Sequence, residues 1–133
     1  MKKMLLLIAL VVISSCSNDD AATTSQKNLQ GKWKWTGSSG GFAGTTVTPK
    51  PDEVIVIEFS GSNYRTYKNG ALISDAPFEI KTESSIFGDD RPTIVSSNPD
   101  KYFIRMSFSF EGNKLFLAQE CYDCFGSSYV RVK

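Results

Sequence analysis

Leu29-Gln30-Gly31-Lys32-Trp33-Lys34-Trp35-Thr36 is the stretch on which the reading of the fold turns. From Gly31 it alternates strictly. Trp33 and Trp35 share one face of an extended chain, and Lys32, Lys34 and Thr36 take the other. That period is the mark of a β-strand with one face on a core. The 105 residues that this stretch opens, 29–133, keep the same character and show no convincing helix.

Working outward, Glu53 to Phe59 is rich in β-branched residues, Ser60-Gly61-Ser62-Asn63 reads as a turn, and Tyr64 to Lys68 follows as a strand. Asn69-Gly70 tolerates the positive φ angles of a tight hairpin. Ala71 to Lys81 resumes the strand, with a bend expected at Ala76-Pro77 because proline has no ladder donor. Pro92 to Ser96 is a short strand. Tyr102 to Phe110 alternates most clearly, placing Tyr102, Ile104, Met106, Phe108 and Phe110 on one face, with Phe103 as the exception. Leu115 to Gln119 and Ser128 to Val132 complete eight strand candidates with mostly short connections, an antiparallel meander. Eight strands can close into an up-and-down barrel, which removes exposed edges; a sandwich competes on this pattern alone.

Leu29-Gln30-Gly31-Lys32-Trp33 resembles the opening Gly-x-Trp of lipocalins and the wider calycin group. The resemblance implies a small, all-β, antiparallel eight-stranded barrel over 29–133. In that family the tryptophan closes one end and an arginine from the last strand lies across its ring. Gly31, Trp33 and Arg131 stand in those places. Thr48 to Glu53, Ile86 to Arg91 and Cys121 to Phe125 are similar to stretches of small lipocalin-like lipoproteins of the Bacteroidota. The chain departs from full-size lipocalins in its shorter barrel and in lacking a helix near the carboxyl terminus.

The amino terminus reads as an address. Met1-Lys2-Lys3 is basic, and Met4 to Ile13 is an apolar run of ten residues. Ten helical residues span about 15 Å, half of a ~30 Å bilayer core, so residues 1–15 read as a signal peptide. Ile13-Ser14-Ser15-Cys16 resembles the lipobox of bacterial lipoproteins. That resemblance implies cleavage before Cys16, a diacylglyceryl thioether on its sulfur and an acylated amino terminus, with palmitate among the chains. Two or three chains hold firmly where one does not. The acidic Ser17-Asn18-Asp19-Asp20 resembles the export signal of surface lipoproteins, which implies the outer membrane and its external face; the periplasmic face is the alternative. Residues 16–28 are read as the lipidated cysteine and a flexible tether, since Ser17 to Asn28 offers nothing apolar beyond alanine.

The chain carries 15 Lys and Arg against 14 Asp and Glu, and no histidine. Without Lys2 and Lys3 the mature chain has 13 basic and 14 acidic side chains, a net charge of −1. Neither value offers the basic face that nucleic acid requires. Lack of histidine removes the usual general base, the usual zinc ligand and the Ser-His and Cys-His pairs. No catalytic residue, metal or cofactor is therefore expected. Cys121 and Cys124 form a CxxC pair between two strands, where a turn disulfide is the leading reading over redox chemistry or free thiols. Asp89-Asp90-Arg91 reads as a solvated turn rather than a calcium site. The long segment Gly37 to Asp52 reads as a lid carrying Phe42 or as an insertion resting on the wall. The functional expectation is non-enzymatic: a small apolar or amphipathic ligand inside the barrel, walled by Trp35, Phe42, Tyr102, Met106 and Phe108. The alternative is an interaction module, a filled barrel whose loops meet a protein or glycan.

Overall fold

The computed structural model describes residues 19–133. The expected signal peptide, residues 1–15, and Cys16 lie outside the described residues. A helix, α1 (Asp19–Leu29), leads into nine strands: β1 (Gly31–Gly40), β2 (Thr45–Val47), β3 (Ile55–Ser60), β4 (Asn63–Lys68), β5 (Ala71–Ser84), β6 (Asp90–Ser96), β7 (Met106–Glu111), β8 (Lys114–Gln119) and β9 (Phe125–Arg131). β1 and β3 to β9 pair antiparallel with their neighbours in the chain, and β9 returns to β1. The expected eight-stranded, all-β barrel is thus closed, and the sandwich is excluded. β2 is an extra strand on the edge of β1, pairing Ser38, Ser39 and Gly40 with Val47, Thr46 and Thr45.

Differences from the expected elements have local causes. β1 runs on to Gly40 because its second half bonds β9 on one side and β2 on the other, with a register shift between Trp35 and Gly37. β5 is one strand of 14 residues without a break at Pro77. Pro77 faces Asn63, the first residue of β4, so its missing N–H falls where that ladder ends. β7 begins only at Met106. Asn98 caps a 3-10 turn over Pro99–Lys101 by accepting from the Asp100 N–H, which takes the chain out of strand geometry before Tyr102.

The segment expected to be a flexible tether is helical from Asp19 onward. Its sequence is polar, so its order comes from its carboxyl end. Leu29 is fully buried against the barrel core. Helices leave their last carbonyls without partners, and here the barrel supplies them. The Trp33 Nε1–H donates to the Leu29 carbonyl at 2.8 Å. Arg131 donates to the Asn28 and Gln30 carbonyls at 2.7 and 2.9 Å. The same guanidinium lies 4.1 Å from the Trp33 ring centroid, a cation–π geometry. Gly31, at φ +117°, leaves room for it; a Cβ there would sit 2.9 Å from Arg131 Nη1. The Gln30 amide adds a pair of bonds to Gly61 in the β3–β4 turn.

Above this closed end one apolar cluster occupies the interior. Trp33, Ile57, Phe59, Ile94 and Leu115 are fully buried, and Trp35, Phe78, Met106, Phe108, Leu117 and Tyr129 pack with them. Phe59 stacks on Tyr64 at 5.0 Å and meets Phe78 edge-on at 5.2 Å. Burial, with Tyr64 nearby, pushes the Tyr129 hydroxyl far above its ordinary pKa, so it stays neutral. Small barrels filled by their own side chains behave as packed cores.

Candidate functional site

A broad concavity lies outside the barrel wall. Register builds its floor. Thr46 faces Ser39, Ser39 faces Gly126, Gly126 faces Ala118, and Ala118 faces Ser107. Directly opposed residues project to the same side of a sheet, and this row alternates with the buried Leu117 and Phe108, so it points outward. Of these five small residues, Ser39, Gly126 and Ala118 line the cleft and leave the outer surface hollow there. Over the row stand two walls, the β8–β9 turn with Cys121, Tyr122, Asp123 and Cys124, and the β5–β6 hairpin with Ile86 and Phe87. The cleft between them has a volume of about 500 Å³. That lies within the range of small-molecule sites, and its mostly apolar walls with a few polar groups suit one.

The first wall is stapled. Cys121 and Cys124 form the expected disulfide, with Cα atoms 5.5 Å apart. The Gly41 N–H donates to the Cys124 carbonyl at 3.2 Å, the Phe125 N–H to Gln119 Oε1 at 3.1 Å, and the Glu120 N–H to the Arg105 carbonyl at 2.9 Å. Asp123 takes a left-handed φ of 61°, which leaves Tyr122 83% exposed at the rim.

The second wall is latched by one carboxylate. Glu120 is only 7% exposed. It accepts from Ser85 Oγ at 2.9 and 3.1 Å and from the Ile86 N–H at 2.9 Å. Ser85 Oγ in turn accepts from the Phe87 N–H at 3.0 Å. Arg91 lies 5.5 Å from the Phe87 ring centroid. Burial opposes the Glu120 charge, but hydrogen bonds from Ser107, Ile86 and Ser85, helped by Arg105, outweigh it and hold the carboxyl below the usual range. A carboxyl whose pKa is lower in the folded state stabilises that state above its unfolded pKa, and the contribution is lost as pH falls through the folded value. Glu120→Gln is therefore expected to cost about 1–3 kcal/mol at neutral pH. Relative to the wild type, the deficit should shrink as pH drops below about 4. Thermal melts of the two proteins across pH 2–8 check this; a deficit that is constant with pH would refute the latch.

Of the residues expected to wall a ligand, Trp35, Met106 and Phe108 come together in one core cluster, and Phe42 and Tyr102 stand apart from it. Trp35, Met106 and Phe108 are buried among the core side chains. Phe42 is 94% exposed, because Gly41 to Gly44 form a turn, closed by the Gly44 N–H on the Gly41 carbonyl, that carries it outward. Tyr102 is 76% exposed, because the chain is not yet a strand there and Phe103 turns inward against Tyr64 instead. Phe42 and Tyr102 are thus corrected as barrel walls. Sequence reasoning did not assign Phe87, Gln119, Glu120, Phe125 or Gly126 to a site. The available signal was an apolar pair, Ile86-Phe87, in an otherwise polar hairpin, and an aromatic residue directly after each cysteine, Tyr122 and Phe125. Among the described residues no three His, Cys, Asp or Glu side chains gather as a metal site, and no helix is long and apolar enough to cross a membrane.

No known protein family matches the chain, and neither does any curated protein or solved structure.

Proposed function

We propose that the protein is a lipoprotein of the outer membrane, anchored through Cys16 and facing outward, that binds a small apolar or amphipathic ligand. The cleft beside the disulfide, rather than the barrel interior, takes that ligand, and the protein acts by binding without catalysis. The lipobox-like Ile13-Ser14-Ser15-Cys16 supports the anchor. One observation carries the binding reading: a cleft of about 500 Å³ whose two walls are each fixed, one by a disulfide and one by Glu120. Walls held before the ligand arrives reduce the ordering cost of binding.

Chain direction adds an orientation. The polypeptide arrives from α1 at the Gly31 end of β1, while the cleft lies at the Ser39–Gly40 end. Ten strand residues cover roughly 33 Å. An anchor before α1 would therefore carry the cleft away from the lipid. The exposed Phe42, Tyr102 and Tyr122 favour a second reading, in which the barrel displays its loops to a protein partner.

Native mass spectrometry of the full chain, purified from its own host's membranes, tests both halves. The expected species begins at Cys16, carries fatty acyl chains and holds a non-covalent small molecule. An unmodified Cys16 would remove the anchor. Repeated absence of any bound molecule would move the weight to the protein-partner reading.

A further inference from the structure

Resting on the binding reading above, we infer that the cleft continues into a hydroxyl-lined annex, and that the ligand is a neutral glycoside. Its apolar part lies against Phe87, Tyr122 and Phe125, and its sugar lies over Ser39, Thr46 and Thr48. A second concavity, of about 240 Å³, shares Ser39 and Gly126 with the cleft, so the two are parts of one trough. They differ sharply in chemistry. Every residue lining the annex is Thr, Ser or Gly. No formal charge lines it, so it offers nothing specific to an anion or a cation.

Hydroxyls are both donors and acceptors, which suits the hydroxyls of a sugar. Some of those in the annex are already engaged. Ser38 Oγ accepts from Trp35 Nε1 and bonds Ser127, and Thr36 donates to the Ser128 carbonyl. Ser39, Thr46 and Thr48 make no side-chain hydrogen bond with the described residues and are free to serve a ligand. The strand that supplies Thr46 is β2, which takes no part in closing the barrel. Its three residues instead raise one side of the annex beside Ser39. In the cleft proper, exposed aromatic rings offer faces to an alkyl or aryl group or to the C–H face of a sugar ring. A purely apolar ligand would use the cleft and leave the annex to water.

Three soluble probes separate the parts: hexyl β-glucoside, hexan-1-ol and methyl β-glucoside, each titrated into the full chain and followed by backbone amide shifts. Hexyl β-glucoside is expected to move the Tyr122 and Thr46 amides together and to bind at least about threefold more tightly than hexan-1-ol. Thr46→Val with Thr48→Val should erase that advantage while leaving hexan-1-ol binding unchanged; Ser39→Ala, on the floor that cleft and annex share, should weaken the glucoside more than the alcohol. Equal binding of the glucoside and the alcohol, or an advantage that survives both variants, overturns the glycoside assignment and leaves the cleft reading intact. If none of the probes moves the Phe87 or Tyr122 amides, the cleft reading fails and the glycoside goes with it.

Discussion

Trp33→Ala is expected to lower stability by about 3–5 kcal/mol, the largest effect of any single truncation in the barrel. Trp33 is fully buried, its ring lies 5.9 Å from that of Phe110, and its indole N–H donates to the Leu29 carbonyl. Truncation opens a cavity, strands that carbonyl and takes away the ring on which Arg131 lies. Three losses fall at one place, where the helix meets the barrel. At roughly 4 °C per kcal/mol for a domain of this size, the melting midpoint should fall by about 12–20 °C. Thermal unfolding followed by circular dichroism reads this directly. A drop of only a few degrees would mean that this end is closed by something other than Trp33.

Gly40→Ala should cost about 2–5 kcal/mol, although it adds a single carbon. Gly40 holds a φ of +139°, where a side chain is strained whatever the space. Its Cβ would strike the Cys124 carbonyl oxygen and come within 3.1 Å of Phe125 Cα. Both obstacles are backbone, so neither can rotate aside. Relief requires moving the start of β9 and with it the disulfide turn. Gly126→Ala is the control. Its nearest obstacles, the Leu117 and Ser39 carbonyl oxygens, lie 3.9 Å away, and its φ is not positive. That change should shift stability by about 1 kcal/mol or less. Denaturant midpoints of the two variants, compared at equal slope, make the distinction; similar losses in both would refute the close approach at Gly40.

The barrel was legible because its evidence is periodic. Trp33 and Trp35 with the lysines between them, and Asn69-Gly70 between two β-rich runs, each specify local geometry without help from distant residues. The closed end was legible through a resemblance, Gly31-x-Trp33 matched to Arg131. Elements whose order depends on tertiary partners were not legible. α1 is polar along its length, and its anchorage comes from Leu29 and from Trp33 and Arg131 bonding its last carbonyls. β2 has three exposed residues and exists through its pairing with Ser38 to Gly40. Tyr102 and Ile104 continued the alternation of β7, yet Asn98 and Pro99 had already committed the chain to a tight turn.

The cleft was hidden for a related reason. Its floor is a cross-strand row, Ser39, Gly126 and Ala118, drawn from three strands, β1, β9 and β8. Alternation within each strand says which residues face outward, but register between strands decides which of them become neighbours. The largest side chains on the Tyr102 to Phe110 face drew attention to the interior. A site built on the absence of large side chains carries little signal of its own.

Gly126 gives the most direct test, because it lies where the cleft and its annex meet and because its backbone accepts a side chain. Gly126→Leu should fold with an unchanged far-ultraviolet spectrum and fill the trough from its floor. Titrating the full-length wild type and this variant with the fluorescent apolar probe 8-anilinonaphthalene-1-sulfonate reads the consequence. The wild type is expected to enhance the probe's emission saturably, and Gly126→Leu to lose that enhancement by at least about tenfold in affinity, a difference of 1.4 kcal/mol. Equal, saturable binding by both proteins would place the ligand elsewhere, and the outer cleft would not be the site.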